Sequence, residues 1–561
     1  GGDHGGGPNE QDMAAIEKLR QTEPSPKIIL SGGQEFFDGI RPEADGLPVV
    51  NEELNFQFEG CWTSQAEMKL RNRRLESLLF SAEALSAAAR LPGLGWRPLG
   101  YEKAELDRAW EALLLNQFHD ILPGSGIHDT HTEALQRYID AEETAGRALS
   151  RAAQRIGSAA GTRGEGIPVV VVNSLAWDRS GPVEVEVELP KGWKNLVAAD
   201  SEGRLAPAQI IGQGSGEKVK VLFTAAGLPA LGFKSFWLRK EKPAGDLKAQ
   251  AAGLLTNGRL EAAFDPATGT LKSLTLDGRE YLSGASCHLV ALEDKPPSMS
   301  AWELGLTGRE SPAETGKVEI LEQGPARVTL RVRSAFGGSR FCQDISLYHG
   351  LDYLECRFEA DWQERDTLLA SKFSLSSRPD SAVYEIPYGY AERRGTGEER
   401  PALNWVAVEE QGQGVALLNN GRHGHAYQNG DLRLSVLRGT TDPDPVADIG
   451  HHTVRWALYP YTGTWKDACV ARRGREFNTP IYAFEGQPDR EGPFRMNLAS
   501  IDADNVDMSC LKRREDSEEL VVRLVEVTGR PTNVTFTLAS PVLEASALDI
   551  PELENVEKSC T

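Results

Sequence analysis

The spacing of apolar positions predicts three helices in the first third of the chain. Over residues 102–122, apolar side chains recur every three or four positions, which is the period of one buried helix face. A helix before this one is predicted to start with the capping box Ser64–Glu67, and a helix after it with Thr130–Glu133. Pro/Gly turns separate the three segments. The sequence therefore predicts a small helical bundle.

A different pattern begins after Gly164. Short apolar runs are bounded there by Asp-Pro, Asn-Gly and Asp-Gly turn signals, which is typical of β-strands. No convincing amphipathic helix is found from 165 to 561. This stretch is much longer than one immunoglobulin-sized sandwich of roughly 100 residues. We therefore expect two or three packed antiparallel β domains.

The start of the chain is typical of the end of an α/β domain. A glycine-rich loop over residues 1–8 leads into a short helix that reaches about Gln21, and a strand is predicted over 27–30. The predicted fold class is multidomain α+β. Its expected order is the remnant of an α/β domain over 1–47, a three-helix bundle over 48–163, a β-sandwich over 164–240, a large β region over 241–494 and a C-terminal β domain over 495–561. With no initiator Met and no evident closing element, we expect truncation at one or both ends.

Composition and charge exclude some classes of binding partner. The chain has 561 residues, of which 40% are hydrophobic and 25% charged, as in ordinary globular proteins. The net charge of −21 and the pI near 5.1 argue against nucleic acid or an anionic membrane, and a neutral substrate fits better. No apolar run approaches the roughly 18 residues of a membrane-spanning helix. Seven cysteines without a CxxC pair favour reduced thiols in the cytoplasm. A homo-oligomer is left open.

One histidine and one carboxylate stand side by side near the predicted end of the central helix. Asp120 in the last turn would oppose the helix dipole, which favours cations there. This unfavourable electrostatic interaction, next to the possible metal ligand His119, suggests a functional site. A helix terminus whose polar groups are all hydrogen-bonded explains the same pattern. In the opening loop, glycines would leave Asp3 free to project into a pocket, or the loop is a disordered terminus.

Two other histidine groupings compete for a metal ion. His423 and His425 have the H-x-H spacing that puts both rings on one face of a strand, and His451 with His452 follows an acidic turn. Neither grouping has a Cys, Asp or Glu that completes a site at a familiar spacing. We interpret them as surface loop histidines.

Taken together, these segments resemble glycoside hydrolase family 38, the retaining, zinc-dependent α-mannosidases. The most specific match is Leu-Leu-Leu-Asn-Gln-Phe-His119-Asp120-Ile-Leu-Pro-Gly-Ser, since the family places a zinc-binding His-Asp dipeptide in this helix. Further matches follow in the family's order: Gly-Asp-His-Gly-Gly-Gly-Pro at the start, Thr63-Ser-Gln-Ala66, Asn72-Arg-Arg74, Glu385-Ile-Pro-Tyr-Gly389, Val415-Ala-Leu-Leu-Asn-Asn420, Asp442-Pro-Asp-Pro445 and Ala457-Leu-Tyr-Pro460. The resemblance covers nearly the whole chain.

The resemblance implies hydrolysis of terminal α-linked mannose with retention, by a nucleophile and an acid about 5–5.5 Å apart. It implies that His119 binds the single Zn²⁺, which grips the 2- and 3-hydroxyls of mannose, and that Asp120 accepts hydrogen bonds from sugar hydroxyls. Asp3 aligns with the general acid/base position. Trp62 is a candidate for stacking on a sugar face, although an aromatic residue before a helix is often part of the core. Asn419, Asn420 and Arg422 resemble the segment in which the β region approaches the active site.

The same resemblance places the remaining parts of the site elsewhere. In the family, the nucleophilic aspartate and the other zinc ligands belong to the catalytic α/β domain, and we expect them upstream of residue 1. The expectation is therefore that this chain alone is inactive. A non-catalytic carbohydrate-binding or scaffolding β-sandwich protein is the alternative, because fold does not fix function.

Overall fold

The computed structural model describes residues 9–22, 27–51, 53–54, 57–94, 96–245, 247–250 and 253–548. The chain divides into two compact units, 1–57 and 58–561. Within its described residues, the first unit contains α1 (Glu10–Thr22), α2 (Gly33–Ile40) and a 3₁₀ helix (Arg41–Gly46). The strand predicted over 27–30 does not form. A strand needs a hydrogen-bonding partner, and the described part of this unit contains no other strand.

The second unit begins with the three-helix bundle. A 3₁₀ turn (Glu59–Trp62) leads into α3 (Ala66–Ala88), α4 (Lys103–Asn116) and α5 (His128–Gly157). The helices bury the apolar stripes that predicted them, including Leu75, Leu79, Leu85, Leu106, Leu113 and Tyr138. The predicted bundle is therefore present.

Neither predicted capping box forms. Ser64 Oγ donates instead to the carbonyls of Gly60 and Ala301, at 2.9 and 2.8 Å. The first N–H of α3, on Ala66, is capped by Asp448 Oδ1 at 2.8 Å. Helix α5 starts at His128, two residues before the predicted cap. At the start of α3, a contact from a distant part of the chain therefore replaces the local cap.

The first group of strands follows the bundle and supplies most of an eight-stranded sheet. It comprises β1 (Ile167–Asn173), β2 (Arg179–Val187), β3 (Leu196–Asp200), β4 (Leu205–Gln213), β5 (Val219–Leu228) and β6 (Gly232–Arg239).

The next strands form the large β region. They are β7 (Lys248–Gln250), β8 (Leu254–Thr256), β9 (Leu260–Phe264), β10 (Leu271–Leu276), β11 (Arg279–Glu280), β12 (His288–Asp294), β13 (Leu306–Pro312), β14 (Glu314–Gln323), β15 (Arg327–Phe336), β16 (Ser339–Tyr348), β17 (Leu354–Trp362), β18 (Thr367–Ser374), β19 (Ser381–Ile386), β20 (Gly389–Arg394), β21 (Glu399–Pro401), β22 (Trp405–Glu410), β23 (Gln413–Asn419), β24 (Gly424–Gln428), β25 (Asp431–Gly439) and β26 (Gly450–Thr462).

The chain then returns toward the bundle and the first sheet. This last part consists of α6 (Val470–Asn478), β27 (Tyr482–Glu485), β28 (Arg495–Asn497), β29 (Ala499–Ile501), β30 (Val506–Arg513), β31 (Leu520–Glu526) and β32 (Phe536–Leu538).

These strands pair in antiparallel ladders. The eight-stranded sheet has the order β2-β5-β4-β3-β6-β1-β27, with β28 paired to β6. The large region contains a five-stranded sheet (β11-β10-β9-β8-β7), a six-stranded sheet (β13-β12-β18-β25-β24-β21) and a nine-stranded sheet (β14-β15-β16-β17-β26-β23-β22-β19-β20). Two small pairs, β29-β32 and β30-β31, complete the described strands. The multidomain α+β fold class is confirmed.

Two large clusters of apolar side chains make up most of the core in the described part of this unit. One lies among the sheets of the large region and buries Trp362, Trp456 and Phe358. The other is shared: the bundle packs against Val170 and Val172 of β1, and the same cluster includes residues of β29 and β30. The bundle and the first sheet therefore have one continuous apolar interior.

Helix α6 is an element that the sequence pattern did not predict. It packs on the outer face of the nine-stranded sheet, where Val470 joins Trp405, Leu418 and Ala457. It has only nine residues, three of them arginine. A segment so short shows less than three turns of periodicity, which explains why the apolar pattern missed it.

Candidate functional site

His119 and Asp120 lie in a compact turn between α4 and α5. The prediction that they belong to the helix itself is wrong, because α4 ends at Asn116 and residues 117–124 form successive turns. The turn closes at Gly124, whose φ of +81° favours glycine. A Cβ there would lie 2.5 Å from the Ser64 carbonyl oxygen. The turn is therefore pressed against the residues that precede α3.

A buried lysine holds the end of this turn in place. Lys69 Nζ donates to the carbonyl oxygens of Leu122 and Pro123, at 2.8 and 2.9 Å, and also to that of Ser64. These carbonyls of the turn are thus satisfied from α3. Burial lowers the pKa of Lys69 to about 7. Lys69 fixes the turn that carries His119 and Asp120.

The two candidate side chains point outward from this fixed turn. The His119 side chain is 75% exposed and that of Asp120 46%, and Nε2 of the imidazole lies 3.4 Å from Oδ2 of the carboxylate. Ser125 Oγ donates to the other carboxylate oxygen, Oδ1, at 3.0 Å. The Phe118 ring lies 4.2 Å from the imidazole, centroid to centroid. An accessible imidazole with a carboxylate beside it can bind a metal ion or the hydroxyl groups of a ligand.

Trp62 is half-buried and precedes Ser64, against which this turn packs. It ends the 3₁₀ turn Glu59–Trp62, in which the Gly60 N–H donates to the Trp302 carbonyl at 2.9 Å. Burial raises the pKa of the adjacent Cys61 thiol; the charge of Lys69 opposes this increase, and that of Asp120 adds to it. Asp3 lies outside the described residues.

A second polar group at the start of α5 was missed by the sequence reasoning. The Asp444 carboxylate is buried, and its Oδ2 accepts a hydrogen bond from Gln65 Nε2 at 2.8 Å. His128 Nδ1 lies 3.2 Å and His131 Nδ1 3.9 Å from the same oxygen. Burial lowers the pKa of His131 to about 4, so this ring is neutral at pH 7. The available signal was the Asp442–Pro445 segment, which marked a loop but not its partners.

The Asn419–Arg422 segment does approach α3. Gly421 has a φ of +133°, and a Cβ there would lie 2.6 Å from Leu70 Cα. Arg422 is buried, with Nε donating to the Val436 carbonyl at 2.6 Å and Nη1 to that of Ala66 at 3.3 Å. Burial lowers its pKa to about 10. In this structure Arg422 joins the β region to the first turn of α3.

The interpretation of the competing histidines as surface residues is wrong for two of them. His425 and His452 are buried, whereas His451 is exposed and His423 half-buried. The sequence could not show this, because the strands that cover His425 and His452 come from distant segments. Burial lowers the pKa of His425 to about 4, and its Nδ1 lies 3.0 Å from the His423 carbonyl.

The candidate pair supplies only part of a metal site. Among the described residues, no three His, Cys, Asp or Glu side chains are grouped so that they could hold a metal ion. A catalytic zinc usually has three protein ligands. His119 and Asp120 therefore fit one edge of such a site. In the described part of the chain, no helix is long and apolar enough to span a membrane.

Comparison with known proteins identifies the family. Residues 57–156 match the profile "Alpha mannosidase middle domain", 255–446 the "Glycosyl hydrolases family 38 C-terminal domain" and 505–561 the "Glycosyl hydrolases family 38 C-terminal beta sandwich domain". These three consecutive matches cover more than half of the sequence. The chain belongs to glycoside hydrolase family 38.

Individual relatives agree with this assignment. The chain is 29% identical to Alpha-mannosidase 2C1 of Homo sapiens over 98% of its length, covering 52% of that protein. It is 24% identical to Alpha-mannosidase G of Dictyostelium discoideum over its full length, covering 55% of that protein. It thus spans about half the length of these curated relatives. An α-mannosidase structure from Enterococcus faecalis V583 shares the fold, with a TM-score of 0.78 and 16% identity over 95% of this chain and 71% of that one.

Proposed function

We propose that this chain is part of a zinc-dependent, retaining α-mannosidase that removes terminal α-linked mannose from an oligosaccharide or other α-mannoside. The observation that carries the proposal is the accessible His119–Asp120 pair on its fixed turn, in a chain of family 38. The names of the relatives Alpha-mannosidase 2C1 and Alpha-mannosidase G support the substrate class.

His119 is the residue that we assign to zinc. Its exposed imidazole is a ligand type that Zn²⁺ prefers, and the adjacent Asp120 carboxylate can orient this ring or accept a hydrogen bond from a hydroxyl group. When bound, zinc would act as a Lewis acid toward sugar oxygens. The described residues provide no complete set of ligands, so we place the others outside them.

Asp120 is the residue that we assign to sugar hydroxyls. Ser125 occupies its Oδ1, and about half of the side chain remains accessible to a ligand. A hydrogen bond from a hydroxyl to a carboxylate contributes about 1.5–3 kcal/mol. Asp3 remains our candidate for the general acid/base, and Trp62 for stacking. The free cysteines in the described residues support a reducing, cytoplasmic setting.

The test is hydrolysis of an aryl α-mannoside by the longest polypeptide that contains this chain. His119→Ala should lower both zinc content and kcat/KM, the latter at least ~100-fold, because a metal–ligand bond is lost. Asp120→Asn should keep the zinc and lower kcat/KM by roughly 10- to 100-fold, the loss expected when one charged hydrogen bond is removed.

The matched control is His451→Ala, because His451 is an exposed histidine on β26. It should leave zinc content and turnover unchanged. Proton NMR of the first product should show the α-anomer, as retention requires. Unchanged activity in His119→Ala, or the β-anomer as first product, would refute the proposal. The isolated 561-residue chain should be inactive, and its robust turnover would refute our placement of the missing ligands.

A further inference from the structure

A cavity of about 470 Å³ lies between the first sheet and the large β region. One wall comes from β2 and β5, where Glu184 and Leu222 face each other in register. The other wall is the outer face of the nine-stranded sheet, closed at one side by α6. The volume is within the range of small-molecule sites. None of the candidate site residues lines this cavity.

Two ion pairs line the cavity. Arg455 Nη1 lies 3.4 Å from Glu355 Oε1, and Arg473 Nη1 lies 2.8 Å from Glu476 Oε2. Glu355 is almost fully buried, so its pairing with Arg455 is needed to offset desolvation. The lining contains three arginines and four carboxylates in all. The cavity is therefore rich in hydrogen-bonding groups and carries no large excess of either charge.

Aromatic rings lie beside these charged pairs. Tyr353 and Phe477 meet edge to face, with their ring centroids 6.3 Å apart. The Arg455 guanidinium lies 4.9 Å from the Phe477 ring centre, and that of Arg473 lies 5.7 Å from the ring centre of Tyr459. These three aromatic residues are all half-buried. They offer apolar faces within a polar cavity.

We propose that this cavity is a second, non-catalytic binding site for a neutral mono- or disaccharide. A sugar has polar edges that need both donors and acceptors, and C–H faces that pack on aromatic rings. Paired Arg and Glu side chains supply both kinds of hydrogen-bonding group. The balanced charges disfavour a phosphate, and the partly buried ion pairs disfavour a purely apolar ligand. The inference does not depend on the hydrolytic activity proposed for the family.

Arg473 is the residue through which this proposal is best tested. Its side chain is 42% exposed although it lines the cavity, and its partner Glu476, which is 14% exposed, keeps a hydrogen bond from Trp177 Nε1 at 2.9 Å when Arg473 is removed. Arg357 is the matched control. It is 58% exposed, pairs with Glu359 at 2.9 Å and lies on the same outer sheet face, but it does not line the cavity.

The experiment is saturation-transfer NMR on the 561-residue chain with methyl glycosides of mannose, glucose, galactose and N-acetylglucosamine. At least one should bind. Arg473→Gln should raise its Kd about tenfold, which corresponds to about 1.4 kcal/mol. Phe477→Leu should also weaken binding, since it removes a ring but keeps apolar volume. Arg357→Gln should change the Kd less than twofold.

Four results would overturn the inference. One is the absence of saturation transfer to all four sugars at millimolar concentration. Another is unchanged binding in both Arg473→Gln and Phe477→Leu, with circular dichroism showing that the variants are folded. The third is displacement of the sugar by inorganic phosphate, which would make the cavity an anion site. Loss of all binding in His119→Ala would assign the sugar to the His119–Asp120 turn, and would likewise contradict the cavity site while supporting the proposed function.

Discussion

At the scale of single residues, the candidate site depends on buried polar groups whose hydrogen-bonding partners lie far away in the sequence. The His119–Asp120 pair could be recognised from one short motif. Lys69, which holds the turn, could not be, because its role depends on carbonyl groups 53 and 54 residues away. Asp444 and Asp448 act on the start of α3 from 379 and 382 residues away. Contacts of this length leave no pattern in the sequence.

Glu83 is another buried polar residue, and it makes stability depend on pH. Burial raises its pKa to about 7 from the ordinary 4.5, against the opposing charge of Lys512. Between these two pH values the folded chain keeps the proton, whereas the unfolded chain releases it. The contribution of Glu83 to stability is therefore most favourable below about pH 4.5 and is lost as the pH rises through 7.

Glu83→Gln should remove this penalty, because glutamine stays neutral. We expect a gain in the free energy of unfolding of up to ~3 kcal/mol at pH 8, and a much smaller gain at pH 5. Thermal unfolding followed by far-UV circular dichroism at the two pH values measures the difference. Glu143→Gln is the control, because this α5 side chain is 68% exposed. Equal gains at pH 5 and pH 8 would contradict the assignment.

At the scale of elements, helical periodicity was a reliable guide and local capping signals were not. α3 and α5 form where the apolar spacing predicts them, because their stripes bury a shared core. The Ser64–Glu67 box fails because a tertiary contact takes one of its groups, as with Ser64 and Ala301. The Thr130–Glu133 box fails because α5 already begins at His128. The predicted end of the central helix fails because the chain enters successive turns after Asn116. Tertiary structure decides element ends more often than element existence.

The turn between α4 and α5 offers a direct test of this competition. Gly124→Ala should destabilise the chain for two reasons: an unfavourable positive φ and a clash with the Ser64 carbonyl. Hydrogen–deuterium exchange should become faster across 117–124 than in the wild type. Gly93→Ala isolates the first reason, because Gly93 has a φ of +77° and nothing lies within 4 Å of its Cβ position.

The two glycine variants should therefore differ in how much stability they lose and in which residues exchange faster. Gly93→Ala should cost about 1 kcal/mol, the usual range for alanine at positive φ, and leave the exchange of 117–124 unaltered. Gly124→Ala should cost more and disturb the His119–Asp120 turn. If both variants behave alike, the turn is not pressed against Ser64 in solution.

At the scale of the whole molecule, the linear order of domains conceals a shared interior. The sequence separates helices from strands near residue 164, and the secondary structure does change there. The apolar core does not stop at that point, because Leu149 and Ile156 of α5 belong to the same cluster as Val170 and Val172 of β1. Sequence periodicity predicts which face of a helix or strand is buried, but not which other element packs against that face. The shared core could therefore not be predicted from it.

The shared core predicts that the bundle cannot fold alone. A fragment of residues 58–163 would expose the side chains that face β1 and β30, and each Å² of apolar surface returned to water costs about 25 cal/mol. We expect this fragment to bind the dye ANS and to lack a cooperative thermal transition, while a fragment of residues 58–548 melts cooperatively. A sharp, reversible melt of the short fragment would contradict a shared core.

The close contact of α5 with the first sheet also constrains how such a molecule can diversify. Gly157 has no room for a side chain, because Phe484 Cζ would lie 2.3 Å from its Cβ and Val170 Cγ1 3.1 Å from it. A chimaeric protein that takes its helical bundle from a relative would therefore need the strands of the first sheet from that same relative. A recombination breakpoint at the end of α5, although it looks natural in the linear sequence, would separate two halves of one folded interior.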